Sequence, residues 1–131
     1  MNIAERIAGV WRLLRYEIRN SDGAIELPFG DAVTGLLIYT RDGYMSGQVM
    51  RNGRAAPLEG YIAYCGTWRV EEERGEVIHA VEASLLPKWA GSEQRRRVRF
   101  AGDDMLTLTA PFVKDGEARE AVLHWRRASD R

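Results

Sequence analysis

The sequence predicts an all-β fold: a closed eight-stranded antiparallel up-and-down barrel with a short N-terminal helix. Three observations carry this. Apolar and polar residues alternate with period two far more often than they repeat every three or four positions. Turn signals recur at short intervals, at Asp22-Gly23, Pro28-Phe29-Gly30, Asp42-Gly43, Asn52-Gly53, Arg74-Gly75, Gly102-Asp103 and Asp115-Gly116, each with residues that tolerate the positive φ of tight turns. Finally, 131 residues, 45% hydrophobic and 29% charged, suit one domain over residues 1–131 built on a single core.

Taken in order, Ile3, Ala4 and Ile7 share one face of a helix over the first eight residues, and Gly9 ends it. Such a helix can plug one end of a barrel. Strands are expected at about 9–19, 33–40, 44–50, 61–71, 76–85, 93–101, 105–110 and 119–127. Leu36 to Thr40, the turn Arg41-Asp42-Gly43 and Tyr44-Met45-Ser46 form a hairpin pattern. Val98 to Ala101, Gly102-Asp103-Asp104 and Met105 to Leu108 repeat it, and consecutive hairpins make a meander. Segment 51–60 reads as a mobile connection or lid beside an opening. Closure removes the unpaired edges of an eight-stranded sheet. A two-sheet sandwich satisfies the same periodicity and stays open as the alternative.

Charge excludes some partners. Lys plus Arg and Asp plus Glu each number 19, so no global basic field favours nucleic acid or an anionic membrane. No apolar stretch approaches the roughly 20 residues that span a bilayer. The single Cys65 permits no internal disulfide, and Met1 to Arg6 lacks a signal-peptide pattern, so a cytoplasmic location is expected. A homodimer is left open. His79, His124 and Cys65 lack metal-ligand spacing, and no P-loop, dinucleotide fingerprint or nucleophile elbow is present, so neither a metal nor a cofactor is expected.

The candidate site starts from strand 93–101. Arg95, Arg97 and Arg99 fall on one face, while Gln94, Arg96, Val98 and Phe100 fall on the other. The apolar pair sets the phase, so Arg96 and Gln94 point inward. A buried guanidinium needs a partner: an acidic or carbonyl-bearing ligand, or internally Glu82 or Glu93. On strand 76–85, His79 enters the lumen if Val77 and Val81 face inward, whereas Glu82 becomes a buried acid if the opposite face does. A bulge would let both contribute. Tyr39, Tyr64 and Trp68 are placed on the barrel wall, where rings give apolar area with a polar tip. Met45 and Val49 are read as core or cavity lining, Trp11 and Trp125 as structural, Trp89 as a cover for the mouth or a loop anchor, and Cys65 as a small buried hydrophobe.

Gly9-Val10-Trp11 behind a short helix resembles the Gly-x-Trp signature of lipocalins, whose Trp closes the barrel base beneath an Arg from the last strand region. Arg127, or less favourably Arg126, is the counterpart, in a cation–π contact worth about 0.5 to 2 kcal/mol. More specifically, the chain resembles the bacterial and fungal lipocalin-like domain family. The matching segments are 35–46, 64–68, 79–91, 93–96 and 106–108, spread over nearly the whole chain. The resemblance implies a barrel with a lumen, and for some members roles in natural-product pathways as isomerases or cyclases.

Three readings follow. The leading one is a binder of a small hydrophobic or amphipathic molecule with an acidic or carbonyl group, held by Tyr39, Tyr64, Trp68, His79, Gln94 and Arg96. In the second, a cofactor-free isomerase or cyclase, His79 or Glu82 shuttles a proton and Arg96 stabilises a developing enolate. The third is a protein-interaction module using the outer arginine stripe.

Overall fold

The fold was obtained as a computed structural model, in which residues 1–129 are described. After the helix α1 (Ile3–Ile7) come β1 (Gly9–Asn20), β2 (Ile25–Glu26), β3 (Val33–Tyr39), β4 (Tyr44–Arg51), β5 (Tyr61–Glu71), β6 (Glu76–Ser84), β7 (Glu93–Ala101), β8 (Met105–Lys114) and β9 (Glu117–Ser129). All pairings are antiparallel between sequence neighbours, apart from β1 with β3, and β1 then pairs with β9 from Val10 opposite Ser129 to Asn20 opposite Arg119. That last ladder closes the sheet and rules out the sandwich. Eight strands are barrel staves; β2 is a two-residue spur on Ile18 and Arg19, too short to show in the hydrophobic pattern. Strand β8 runs past the expected residue 110. Pro111 interrupts the pattern, yet it lies beyond Thr109, the last β8 residue paired with β7, and pairs with Glu120 of β9.

One end is sealed by the N-terminus. Asn2 caps α1 by accepting from Glu5 N at 2.8 Å, and the Glu72 carboxylate, from the 3-10 turn after β5, accepts from Ile3 N and Ala4 N at 2.9 and 3.1 Å. Ile7 and Trp11 are fully buried, and Trp11 Nε1 donates to Ile7 O at 2.8 Å. The expected cover is in place: the Arg127 guanidinium lies 4.1 Å from the Trp11 ring centroid and donates to the carbonyls of Ala8, Arg6 and Asp103, whereas Arg126 is exposed. The opposite end carries the connections 21–32, 52–60, 85–92 and 115–116.

Of three register shifts in the ladders, two reset side-chain phase near the cavity. Cys65 pairs with Ala83 and Gly66 with Val81, so Glu82 is the extra residue in β6. A Cβ at Gly66 would stand 1.9 Å from Ala80 O, so only glycine lets β6 approach here. In β1, Leu13 pairs with Trp125 and Arg15 with His124, leaving Leu14 extra. Cys65 is exposed on the outer face, correcting its expected burial, because alternation from inward Tyr64 turns it to solvent.

Candidate ligand-binding site

The barrel interior holds a cavity of about 80 Å³ on the side of the lumen away from the Trp11 plug. Its wall is mostly apolar, with Leu37, Met45, Val49, Ile62, Leu108 and Leu123 from five different strands. Gly47 opens the space: its position on β4 faces inward, and a Cβ there would meet Leu37 Cδ1 at 3.3 Å. Four side chains bring polar tips into this lining, namely Tyr16, Tyr64, His79 and Arg96, with Trp125 completing it.

Arg96 is inward, half-buried and part of the cavity wall. Alternation along β7 puts it there and sends Arg95, Arg97 and Arg99 to the exposed face. Its Nη2 donates to Gln94 Oε1 at 3.3 Å and its Nη1 to Arg95 O at 2.9 Å. Neither expected carboxylate reaches it. Glu93 is outward, paired with Arg69 at 2.9 Å, and Glu82 is exposed at the β6 bulge. Among the described residues the Arg96 charge has no carboxylate within ion-pair distance.

His79, only 2% exposed, is fixed on both ring nitrogens: Nε2 lies 2.6 Å from the Tyr39 hydroxyl and Nδ1 2.6 Å from that of Tyr64. Burial, reinforced by the Arg96 charge, pushes its pKa down to about 3, so the imidazole is neutral near pH 7. Burial pushes the Tyr39 phenol well up, with Tyr64 adding and Arg96 opposing; the Tyr64 phenol is raised by burial and partly relieved by Arg96. With both nitrogens engaged and little basicity, His79 is a poor general base. Glu82 is corrected from buried acid to surface residue, since alternation along β6 turns Val77, His79 and Val81 inward and Glu82 outward.

The remaining expected site residues lie one layer back. Tyr39 is fully buried behind His79, and Trp68 meets it edge-on at 5.1 Å while its Nε1 donates to Thr40 O at 2.9 Å. Neither lines the cavity, and Gln94 does not either; it braces Arg96 and donates to Ser92 Oγ at 2.9 Å. Trp89, at the far end of the barrel, packs edge-on against Tyr64 at 5.8 Å. No residue of 51–60 lines the cavity. Tyr16 is a lining residue that sequence reasoning missed: plain alternation from Trp11 and Leu13 puts Arg15 inward, and only the Leu14 bulge brings in Tyr16. Its phenol, raised by burial with Arg96 opposing, meets Phe29 edge-on at 5.0 Å.

His124 is on the outer face, where Nε2 lies 2.6 Å from the carboxylate of Glu17, itself 3% exposed and bridged by Arg19 at 3.0 Å. Among the described residues no three His, Cys, Asp or Glu side chains cluster to hold a metal. Among the described residues no helix is long and apolar enough to cross a membrane.

An eight-stranded barrel with a mostly apolar lumen and a few convergent polar groups is the architecture of a small-molecule-binding β-barrel. The sequence profile of the lipocalin-like domain matches residues 8–128, and the chain belongs to that family. It is 33% identical to the 4'-hydroxy-3'-methoxypropiophenone carrier protein ppsC of Aspergillus oryzae, over 63% of this chain and 96% of that protein. Among solved structures, a redesigned β-barrel matches at 12% identity with a TM-score of 0.49, covering 98% of this chain and 96% of that one.

Proposed function

We propose that the barrel binds a small, largely apolar molecule in its lumen and orients it through a carbonyl or acidic oxygen held by Arg96. The observation that carries this reading is a guanidinium in the wall of a mostly apolar cavity that has, among the described residues, no carboxylate within ion-pair distance. A planar fork of N–H donors in such surroundings is suited to an acceptor oxygen. The carrier relative supports the same class, since its named cargo is a one-ring aromatic ketone. Size sharpens the choice. At about 80 Å³ the cavity is below the roughly 300 Å³ of drug-sized sites and below the ~150 Å³ that accepts benzene. A one-ring ligand therefore enters by displacing flexible wall groups such as Met45, or protrudes beside Trp89. The reducing cytoplasm remains our reading of location, supported by a lone, exposed Cys65.

The test is calorimetric titration of 4'-hydroxy-3'-methoxypropiophenone into the wild type and Arg96→Met. Loss of a charged hydrogen bond, worth about 1.5 to 3 kcal/mol, weakens affinity at least tenfold while circular dichroism stays unchanged. Equal affinity in the two proteins refutes the role of Arg96.

A further inference from the structure

The buried hydrogen-bond chain Tyr39–His79–Tyr64 has a direction, and that direction sets what the cavity offers a ligand. A neutral imidazole carries one N–H and one lone pair, so one tyrosine donates to His79 and the other accepts from it. Tyr39 is fully buried, and among the described residues its hydroxyl has His79 Nε2 as its single hydrogen-bond partner. If Nε2 carried the proton, the Tyr39 O–H would have no acceptor, which buried polar groups avoid. Tyr64 is different, because it lines the cavity, where water or ligand can accept a hydrogen bond from its O–H. The satisfied arrangement is therefore Tyr39 O–H to Nε2, then Nδ1–H to the Tyr64 oxygen, leaving the Tyr64 O–H free.

We propose that this chain runs from Tyr39 through the Nδ1–H tautomer of His79 to Tyr64, so that Tyr64 acts as a donor beside Arg96 and the cavity selects an acceptor oxygen, a ketone above all. The proposal rests on the lumen-binding reading and deepens it: His79 touches no ligand proton, and Tyr39, outside the cavity lining, is a positioning residue for specificity. Arg96 supplies donors only, and Tyr64 joins it, so these two groups of the lining present N–H and O–H to a ligand.

The chain has two histidines, which makes the tautomer directly readable. Long-range ¹H–¹⁵N spectra of histidine-labelled protein at pH 7 should show His79 protonated at Nδ1 and bare at Nε2, assigned by subtraction in His124→Gln or, if that variant fails to fold, in His79→Gln. A proton at Nε2 overturns the direction. Acetophenone, which has an acceptor and no donor, is the binding probe. Tyr64→Phe should weaken it about three- to tenfold, and Tyr39→Phe should both weaken it and erase the single Nδ1–H pattern. An unchanged pattern in Tyr39→Phe reduces Tyr39 to packing and overturns its role; unchanged affinity in Tyr64→Phe overturns the donor. If acetophenone binds but the tautomer is reversed, lumen binding stands and the direction falls; if neither acetophenone nor the methoxylated ketone binds, both fall.

Discussion

At the scale of single residues, the interior is governed by a neutral histidine and an unneutralised arginine. His79 titrates near 6.5 in an unfolded chain and about 3 in the barrel. Below pH 6.5 the unfolded state therefore binds a proton that the folded state refuses. The associated stability is complete above about pH 6.5 and drains away as pH falls toward 3, by up to about 1.4 kcal/mol per pH unit. Burial raises the outer Glu17 carboxyl, but the bonds to His124 and Arg19 outweigh it and hold it below its ordinary 4.5. That depressed group contributes stability above pH 4.5 which is lost as the pH drops further, so the window from 6.5 to 5 isolates His79 from Glu17. Urea unfolding across that window should show a falling midpoint in the wild type and a flatter one in His79→Gln. The same slope in both would assign the effect elsewhere.

Elements decide which side chains meet, and here legibility was uneven for identifiable reasons. Regular alternation in β7 made the inward Arg96 and the outward Arg95, Arg97 and Arg99 readable from Val98 and Phe100 alone. A β-bulge has no such signature. The choice between His79 and Glu82 stayed open because the two lie three apart on one strand, on opposite faces of a regular pleat, and apolar residues occupy both faces. Tyr16 was missed because the Leu14 bulge shifts the phase of β1 midway. Gly66 and Gly47 mark where the sheet depends on an absent side chain. Gly66→Ala should cost at least about 2 to 3 kcal/mol, since its Cβ would strike backbone that cannot turn aside; denaturant titration measures it. Gly47→Val should leave the barrel folded, fill the cavity and abolish ketone binding by calorimetry. Retained affinity in that variant would place the ligand elsewhere.

For the whole molecule, closure was favoured because it removes unpaired edges, with the sandwich left open until the β1–β9 ladder, and the plug followed from the resemblance of Gly9-Val10-Trp11, with Arg127 near the end, to the lipocalin signature. The hollow itself was an expectation from strand number, and its small volume follows from packing that no single sequence records. Plug and cavity are separate, so they should fail separately. Trp11→Ala removes a fully buried side chain from the base and should cost about 3 to 5 kcal/mol, while the folded fraction still binds ketone. Loss of binding at full foldedness would tie the two ends together. The most direct measurement is a crystal structure of the protein saturated with 4'-hydroxy-3'-methoxypropiophenone. A ligand-binding lumen requires the ring inside the barrel with an oxygen at hydrogen-bond distance from the Arg96 guanidinium; a ligand on the outer face, with the interior collapsed and Arg96 turned to solvent, would contradict it.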